Sequence, residues 1–555
     1  MALINGLHFN NLRGDIYGGL TAAVVALPLA MAMGVAAGTG PVAGLYGAIF
    51  VGLFAALFGG TPAQVSGPTG PMTVVMAAIF LQYTAMFPDD PARGAALAFT
   101  VVMLGGLFQI LLGLLRWGKY IELVPHPVVS GFMSGIGVII ILLQLGPILG
   151  HDGASKPLTA AQTFPEYLAD VNTVALMLGL VTLVIVYGVP SLLPRLNRLV
   201  PSPLLALVVG TAGYVLFVEP GSTPIIGDIP TAFPEFQRPV FEMSLALKMV
   251  ASGFTLAGLG AIDSLLTSLV ADNITRTQHK SNRELIGQGI GNTIAGMFGG
   301  LPGAGATMRT MVNVKAGGRT PISGALHALV LLAIVLGAGP LASSIPKAVL
   351  AGILIKVGTD IIDWDYLKRL HNVPRAGAAI MLVVFIVTVT IDLLLAVGIG
   401  MVMASFLFMQ RMTDLQVRGM SAITRPEGET PLSEEETEIM KQADGRILLF
   451  HLSGPMSFSS AKAMVRLHAE VSNYDVMLLD LSDTTSVDYT TSRAIDDIIM
   501  DSLDAGRPVF LVGVRKEVLN LLERQGVTRH FDEKYICRNR IDALRDALKH
   551  VQTHH

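Results

Sequence analysis

The sequence predicts an α-helical, multi-span membrane domain followed by a small soluble α/β domain, and three observations lead there. Apolar blocks with few charges recur from about Asp15 to about Arg411. From about Met412 the chain turns charged, as in Glu427-Gly428-Glu429 and Ser433-Glu434-Glu435-Glu436, and then resumes as soluble sequence. Two similar glycine- and proline-bearing breaks, one from Gln64 to Thr73 and one from Gly299 to Met308, interrupt long apolar runs. With 52% hydrophobic and 14% charged residues, the composition departs from that of soluble domains, which carry about a quarter charged residues. The boundaries that follow are 1–411 for the membrane domain, 412–440 for a linker and 441–555 for the soluble domain.

About fourteen apolar segments are expected, several shorter than the roughly 20 residues that normally cross a bilayer. Their centres fall near Val25, Phe50, Met76, Gly105, Gly137, Leu180 and Leu207. The second set lies near Gly258, Gly291, Met311, Leu332, Leu350, Val384 and Ala404. With the N-terminus in the cytoplasm, the inward loops carry Arg116 and Lys119, Arg195 and Arg198, Arg276, Lys280 and Arg283, Lys315 and Arg319, and Lys368, Arg369 and Arg375. The outward loops hold Asp89, Asp90, Asp152, Glu166, Glu219, Asp228 and Glu235 against only Arg93, Lys156 and Arg238. Basic residues therefore gather on one side, as the positive-inside rule requires. An even number of spans puts both termini in the cytoplasm, where a single cysteine, Cys537, meets a reducing compartment. Met1 to Asn11 is short and polar, so no cleavable signal is expected. A net charge of −3 makes no case for nucleic acid, and one cysteine excludes a disulfide scaffold.

Each break sets Gly and Pro just before a Thr that opens a new apolar stretch, so each reads as unwound chain leading into a half-helix. Irregular backbone at membrane depth survives only where it is buried in protein or lines a cavity. A matched pair of such breaks points to a transporter's binding site, and two helix starts facing that site favour an anion. Thr69 and Gly70 supply one contact; Ala306, Thr307 and their neighbours supply the other. The competing reading is that small residues merely let helices pack closely. Arg309, two residues beyond Thr307, either neutralises an anion, balances Asp263 or snorkels towards a helix end.

Asp263 sits inside the apolar run from Leu256 to Leu269, where a carboxylate costs at least about 2.5 kcal/mol. Thr267 lies one helical turn further on, on the same face. One carboxylate, one hydroxyl and the carbonyls of a nearby broken helix suit a hard monovalent cation. A proton carrier and a structural partner of Arg309 are the alternatives. Asp392 also lies in an apolar run, on the same path or near a span end. Ser281 and Glu284 have the spacing of a capping box; with no strand before it, this glycine-rich run is not a dinucleotide motif.

In the tail, Arg446–Leu452, Val476–Leu481 and Pro508–Val514 read as buried strands, with a helix from about Ser459. No combination of nucleophile, base and oxyanion donors appears, so an enzyme is not expected.

Together the Gln64–Thr73 segment, the run from Ser281 to Gly289 and the glycine-rich break before Thr307 resemble the SulP family of anion transporters. The tail, with Leu479-Asp480-Leu481-Ser482 and Val487-Asp488-Tyr489-Thr490-Thr491-Ser492, resembles that family's STAS domain. The resemblance covers nearly the whole chain, with its motifs in the right order. It implies a 7+7 inverted repeat split into core and gate subdomains, with the third and tenth segments as the half-helices. It also implies a homodimer working by an elevator-like movement.

Within the family, the likeness is greatest to sodium-dependent bicarbonate carriers, through the runs Arg13–Asp15, Gly18–Pro28, Pro68–Val75, Ile262–Ser268 and Gly303–Met308. Carried over, Asp263 and Thr267 hold sodium with Gly305 and Thr307 close by, while Thr69 and Ala306 flank bicarbonate. Arg309 instead resembles the sulfate-carrying and anion-exchanging members, which keeps proton-coupled sulfate or dicarboxylate transport, and anion exchange, as alternatives. Thr490 falls near the phosphorylatable position of regulatory STAS domains, although Tyr489-Thr490-Thr491 departs from the usual Ser-Gly pattern. A cytosolic partner for the tail, in the extreme a sensor that transports little, is the reading from another class. The expected location is the inner membrane.

Overall fold

The computed structural model describes residues 4–121, 124–154, 156–227, 234–391, 393–427 and 432–553. They divide into two units, Met1–Val402 and Met403–His555. Asp392 lies outside the described residues.

Each of the expected apolar segments coincides with a helix. The first seven are α1 (Leu12–Ala36), α2 (Pro41–Phe58), α3 (Gly70–Met86), α4 (Pro91–Leu114), α5 (His126–Leu143), α6 (Thr173–Leu192) and α7 (Ser202–Phe217). The second seven are α8 (Ala246–Thr275), α9 (Ser281–Met297), α10 (Thr307–Lys315), α11 (Pro321–Ala342), α12 (Lys347–Ile361), α13 (Arg375–Thr390) and α14 (Leu393–Arg418). Among the described residues, seven helices are long and apolar enough to cross a membrane, and four more apolar helices are shorter. Proline at the first turn starts α2, α3, α4, α5 and α11, where its missing N–H costs nothing. A helix at Pro157–Ala169, before α6, was not anticipated from the sequence.

Small residues let these helices touch backbone to backbone. A Cβ on Gly44 would sit 1.8 Å from the Ala30 carbonyl oxygen, so α1 and α2 can cross only with glycine there.

The two breaks meet. Immediately before α3 and α10 the chain forms two short strands, β1 (Ser66–Gly67) and β2 (Ala304–Gly305), which pair antiparallel. Ser66 opposes Gly305 and Gly67 opposes Ala304. The Ala306 N–H donates to the Val65 carbonyl at 2.9 Å. Backbone groups freed by unwinding are thus satisfied by the opposite break, as a membrane interior demands.

The capping box expected at Ser281 is not formed. The N-cap of α9 is Lys280, and the Glu284 side chain turns away from its own helix start. Its carboxylate accepts instead from the Gly60 and Thr61 N–H groups at 2.8 and 2.9 Å. These two N–H groups and the Gln64 side-chain amide, all near the first break, outcompete a helix end that water and backbone can satisfy.

The second unit carries a five-stranded sheet in the order β3-β4-β5-β6-β7: Met420–Ile423, Ile447–Met456, Val476–Val487, Val509–Val512 and Ile536–Cys537. The edge strand β3 is antiparallel to β4, and the remaining pairs are parallel. The near-continuous apolar runs of β4 and β5 reflect burial on both faces. The helices Phe458–Ala469, Tyr489–Asp504 and Lys516–Gln525 cover one face, and Glu434–Gln442 and Arg540–Thr553 the other. The stretch 412–440, expected as a linker, therefore contains the end of α14, an edge strand and a packed helix with a complete capping box at Ser433 and Glu436. Strands β3 and β7 were missed because they are short and lack a run of apolar residues.

Candidate functional site

The site is built where the starts of α3 and α10 meet the middle of α8. Thr69 is the N-cap of α3 and Ala306 that of α10, and neither caps its helix with a side chain. Thr69 turns its hydroxyl onto α8 instead, donating to Asp263 Oδ2 at 2.6 Å. Asp263 is buried, with 5% of its surface exposed. One turn on, the Thr267 hydroxyl donates to the Gly305 carbonyl at 2.9 Å and lies 2.7 Å from the Thr307 hydroxyl. Between them Ser264 Oγ accepts the Gly305 N–H at 3.1 Å. The period of α8 explains the set: Asp263, Ser264, Thr267 and Ser268 lie along one face, turned to the crossing of the breaks.

Of the sequence-predicted residues, Thr69 and Asp263 thus form one hydrogen-bonded pair, and Thr267, Gly305 and Thr307 form a second group one turn along the same face of α8. Gly70 opens α3, and a Cβ there would lie 2.7 and 2.9 Å from the ends of Ile140 and Ile361. Ala306 sits at 7% exposure between β2 and α10. Asp263, Thr267, Gly305 and Thr307 offer only oxygens. This suits a hard monovalent cation and not a soft metal. Among the described residues, no group of three or more His, Cys, Asp or Glu side chains could hold a metal ion.

Arg309 is one of the largest fully buried side chains. It does not pair directly with Asp263 among the described residues: Arg309 Nη2 donates to the Pro68 carbonyl, while its Nη1 has no hydrogen-bond partner. A Cβ on Gly67, held at φ +151, would come within 2.6 Å of that Nη1. Glycine there keeps the guanidinium against the first break. A buried cationic donor left unpaired is costly and needs a reason.

Sequence reasoning missed the polar frame behind these contacts. Glu284 Oε1 accepts from the side-chain amides of Gln64 and Gln288, both at 2.8 Å. Gln288 also donates to Ser66 Oγ at 2.6 Å, and Ser268 donates to Gln64 Oε1 at 3.0 Å. Asn292 clamps the second break through Gly303, donating to its carbonyl at 2.9 Å and accepting its N–H at 2.7 Å. The signal was present: Glu284, Gln288 and Asn292 recur every four residues on one face of a glycine-rich apolar helix.

The sulfate permease family matches residues 12–384, and the STAS domain matches residues 438–543. The bicarbonate transporter BicA of the cyanobacterium Synechocystis is 46% identical over 555 residues, covering 100% of this chain and 97% of that protein. The chain belongs to the sulfate permease (SulP) family. It is therefore a multi-pass membrane transporter with a C-terminal STAS domain, and not an enzyme. Among solved structures, the transmembrane domain of a cyanobacterial bicarbonate transporter BicA is 49% identical, with a TM-score of 0.66 over 72% of this chain and 100% of that one. The structure of SLC26A9 shares the fold at 20% identity, with a TM-score of 0.82 over 99% of this chain and 92% of that one.

Proposed function

We propose that the chain carries bicarbonate into the cytoplasm together with sodium, from an inner membrane with both termini on the cytoplasmic side. The observation that carries this reading is that one face of α8 engages both half-helix starts, Asp263 bonded to Thr69 at the first and, one turn on, Thr267 bonded to Gly305 and Thr307 at the second. The 46% identity to a bicarbonate transporter supports the choice of anion. Sodium held by Asp263, Thr267, Gly305 and Thr307 cancels the carboxylate's charge beside the anion. The field of the two helix starts then acts on the anion undiminished. By linkage, bicarbonate tightens sodium by the same factor as sodium tightens bicarbonate. Thr69, Gly70, Ala306 and Thr307 hold the anion, with Arg309 adding charge from behind Pro68. In this reading a core bearing the half-helices moves past a gate in an elevator-like cycle, within a homodimer.

Radiolabelled uptake by proteoliposomes tests this, comparing bicarbonate with sulfate, each with and without an inward sodium gradient. Bicarbonate uptake that requires sodium is expected. Sulfate uptake that follows a proton gradient without sodium would replace both substrate and coupling ion.

That second reading has one observation in its favour: the unpartnered Nη1 of buried Arg309, a charge better matched to a divalent or exchanged anion. In the STAS domain, Thr490 is exposed in the first turn of the helix Tyr489–Asp504. Phosphate there would lie near Asp488, which caps that helix through Thr491. A regulatory role for Thr490 requires that Thr490→Glu change the transport rate; an unchanged rate in that variant removes it. A cytosolic partner of the same domain would be read by its binding to the full-length protein.

A further inference from the structure

The first unit contains a cavity of about 360 Å³ that no part of the site above uses. It lies at the C-terminal ends of α1 and α3, beside Gly38 and Thr84, and so on the side opposite the N-terminus of α1. In the topology proposed above this is the external face. Its wall carries Gln144, His151, Asp152 and Lys347. A second, narrow pocket of about 20 Å³, room for about one water, shares Ala36, Ala77, Leu143, Gln144 and Leu354 with it. That pocket ends on Gly70 and Thr73, in the first turn of α3. Thr73 is 6% exposed, and its hydroxyl has no hydrogen-bond partner among the described residues. A wide polar mouth thus narrows through Gln144 to an unsatisfied hydroxyl one turn from Thr69.

We infer that this cavity is an anion-collecting vestibule, with Lys347 as its capture charge for a small hydrated inorganic anion. His151 is engaged elsewhere, its Nε2 lying 2.6 Å from the Asp170 carbonyl and its ring stacked on Tyr167. Lys347 opens α12, so its ammonium stands at the positive end of that helix. It reaches Asp152 at 3.6 Å, but the Asp152 side chain is 94% exposed and that of Lys347 36%. Such an exposed pair is weak and screened, and an arriving anion can compete with Asp152 for the lysine. The backbone of Lys347 is fixed separately, its N–H donating to the Pro224 carbonyl at 2.9 Å. Changing the side chain therefore leaves the fold intact. The inference rests on the transport reading above and adds to it the place where the anion is first caught.

The pair makes a test with opposite signs. Bicarbonate KM is measured for the full-length protein in proteoliposomes at low and high ionic strength, for wild type, Lys347→Gln, Lys347→Arg and Asp152→Asn. Lys347→Gln raises KM by about threefold or more at low salt with the maximal rate kept, and high salt erases the difference. Lys347→Arg restores KM, and Asp152→Asn leaves KM at or below the wild-type value. A wild-type KM in Lys347→Gln overturns the inference. So does an Asp152→Asn variant whose KM rises as that of Lys347→Gln does, since the pair would then be a structural latch. If the wild type carries sulfate and not bicarbonate, the choice of substrate fails, and the same comparison on sulfate still decides for the vestibule.

Discussion

At Asp263 the cation and proton readings demand different things of one side chain. A sodium ligand needs the negative charge at all times, whereas a proton carrier must lose it once per cycle. Asp263→Asn keeps the size of the side chain and removes the charge; sodium-coupled symport predicts that sodium no longer stimulates uptake, read as flux against sodium concentration. Thr267→Val removes one oxygen from the same set and breaks the bond to Gly305, so the sodium KM should rise by about tenfold. Glu284 plays a different part, because it holds the frame and touches neither proposed ion. Glu284→Ala strips the partner from the Gly60 and Thr61 N–H groups and from the buried Gln64 amide, and leaves the Gln288 amide with Ser66 alone. A loss of about 3 kcal/mol or more is expected, visible as a lowered Tm of the detergent-solubilised protein. The conservative Glu284→Gln should recover part of it, since one acceptor oxygen remains.

At the scale of elements, the crossing of β1 and β2 decides whether the two half-helices can share one site. A Cβ on Gly303 would lie 2.5 Å from the Gly67 carbonyl group. Gly303→Ala should therefore push the breaks apart and abolish uptake while the protein still inserts; surface expression beside flux checks both. Most of the fourteen segments were legible because a membrane span announces itself by composition, whereas the short polar α10, Thr307–Lys315, was placed by the break before it. The breaks at Gln64–Thr73 and Gly299–Met308 were legible because Gly and Pro mark where a helix cannot continue. Their pairing was not legible. Register between strands far apart in the chain is set by tertiary contacts, and no local pattern encodes it. The polar frame was half legible: Glu284, Gln288 and Asn292 show their period, but local spacing suggested a cap for Glu284 when its partners were distant. Arg309 was visible as a buried charge, while its partner, the Pro68 carbonyl, was not.

For the molecule as a whole, the soluble unit has its own electrostatic lock. Asp480 is fully buried, 2.8 Å from His451 Nδ1 and 3.0 Å from Arg540 Nη1. Burial alone would raise its pKa, but hydrogen bonds from His451 and Ser482 outweigh it and hold Asp480 below the usual carboxylate range. Glu436 is likewise held low against burial by Arg540 and Ser433. Acids with depressed folded values stabilise the fold above their unfolded values of about 4, and lose that stabilisation as pH falls through the folded ones. Burial keeps His468 neutral by lowering its pKa, so its contribution is full above about 6.5 and fades below. Amide protection of β4 to β6 in the full-length protein should accordingly begin to weaken below about pH 6.5 and fall further near pH 4. Arg540→Ala should cost about 3 kcal/mol of that protection at pH 7 and less at pH 4, because it leaves a buried carboxylate without its cation. An equal loss at both pH values would show that Arg540 acts through packing alone.

Coupling is the claim on which the rest depends, and it can be read directly. Radiosodium uptake is followed in proteoliposomes with equal sodium on both sides, the voltage clamped, and only an inward bicarbonate gradient imposed. Sodium-coupled symport predicts that sodium accumulates transiently above equilibrium and that Asp263→Asn abolishes this. Bicarbonate entry with sodium remaining at equilibrium would contradict it.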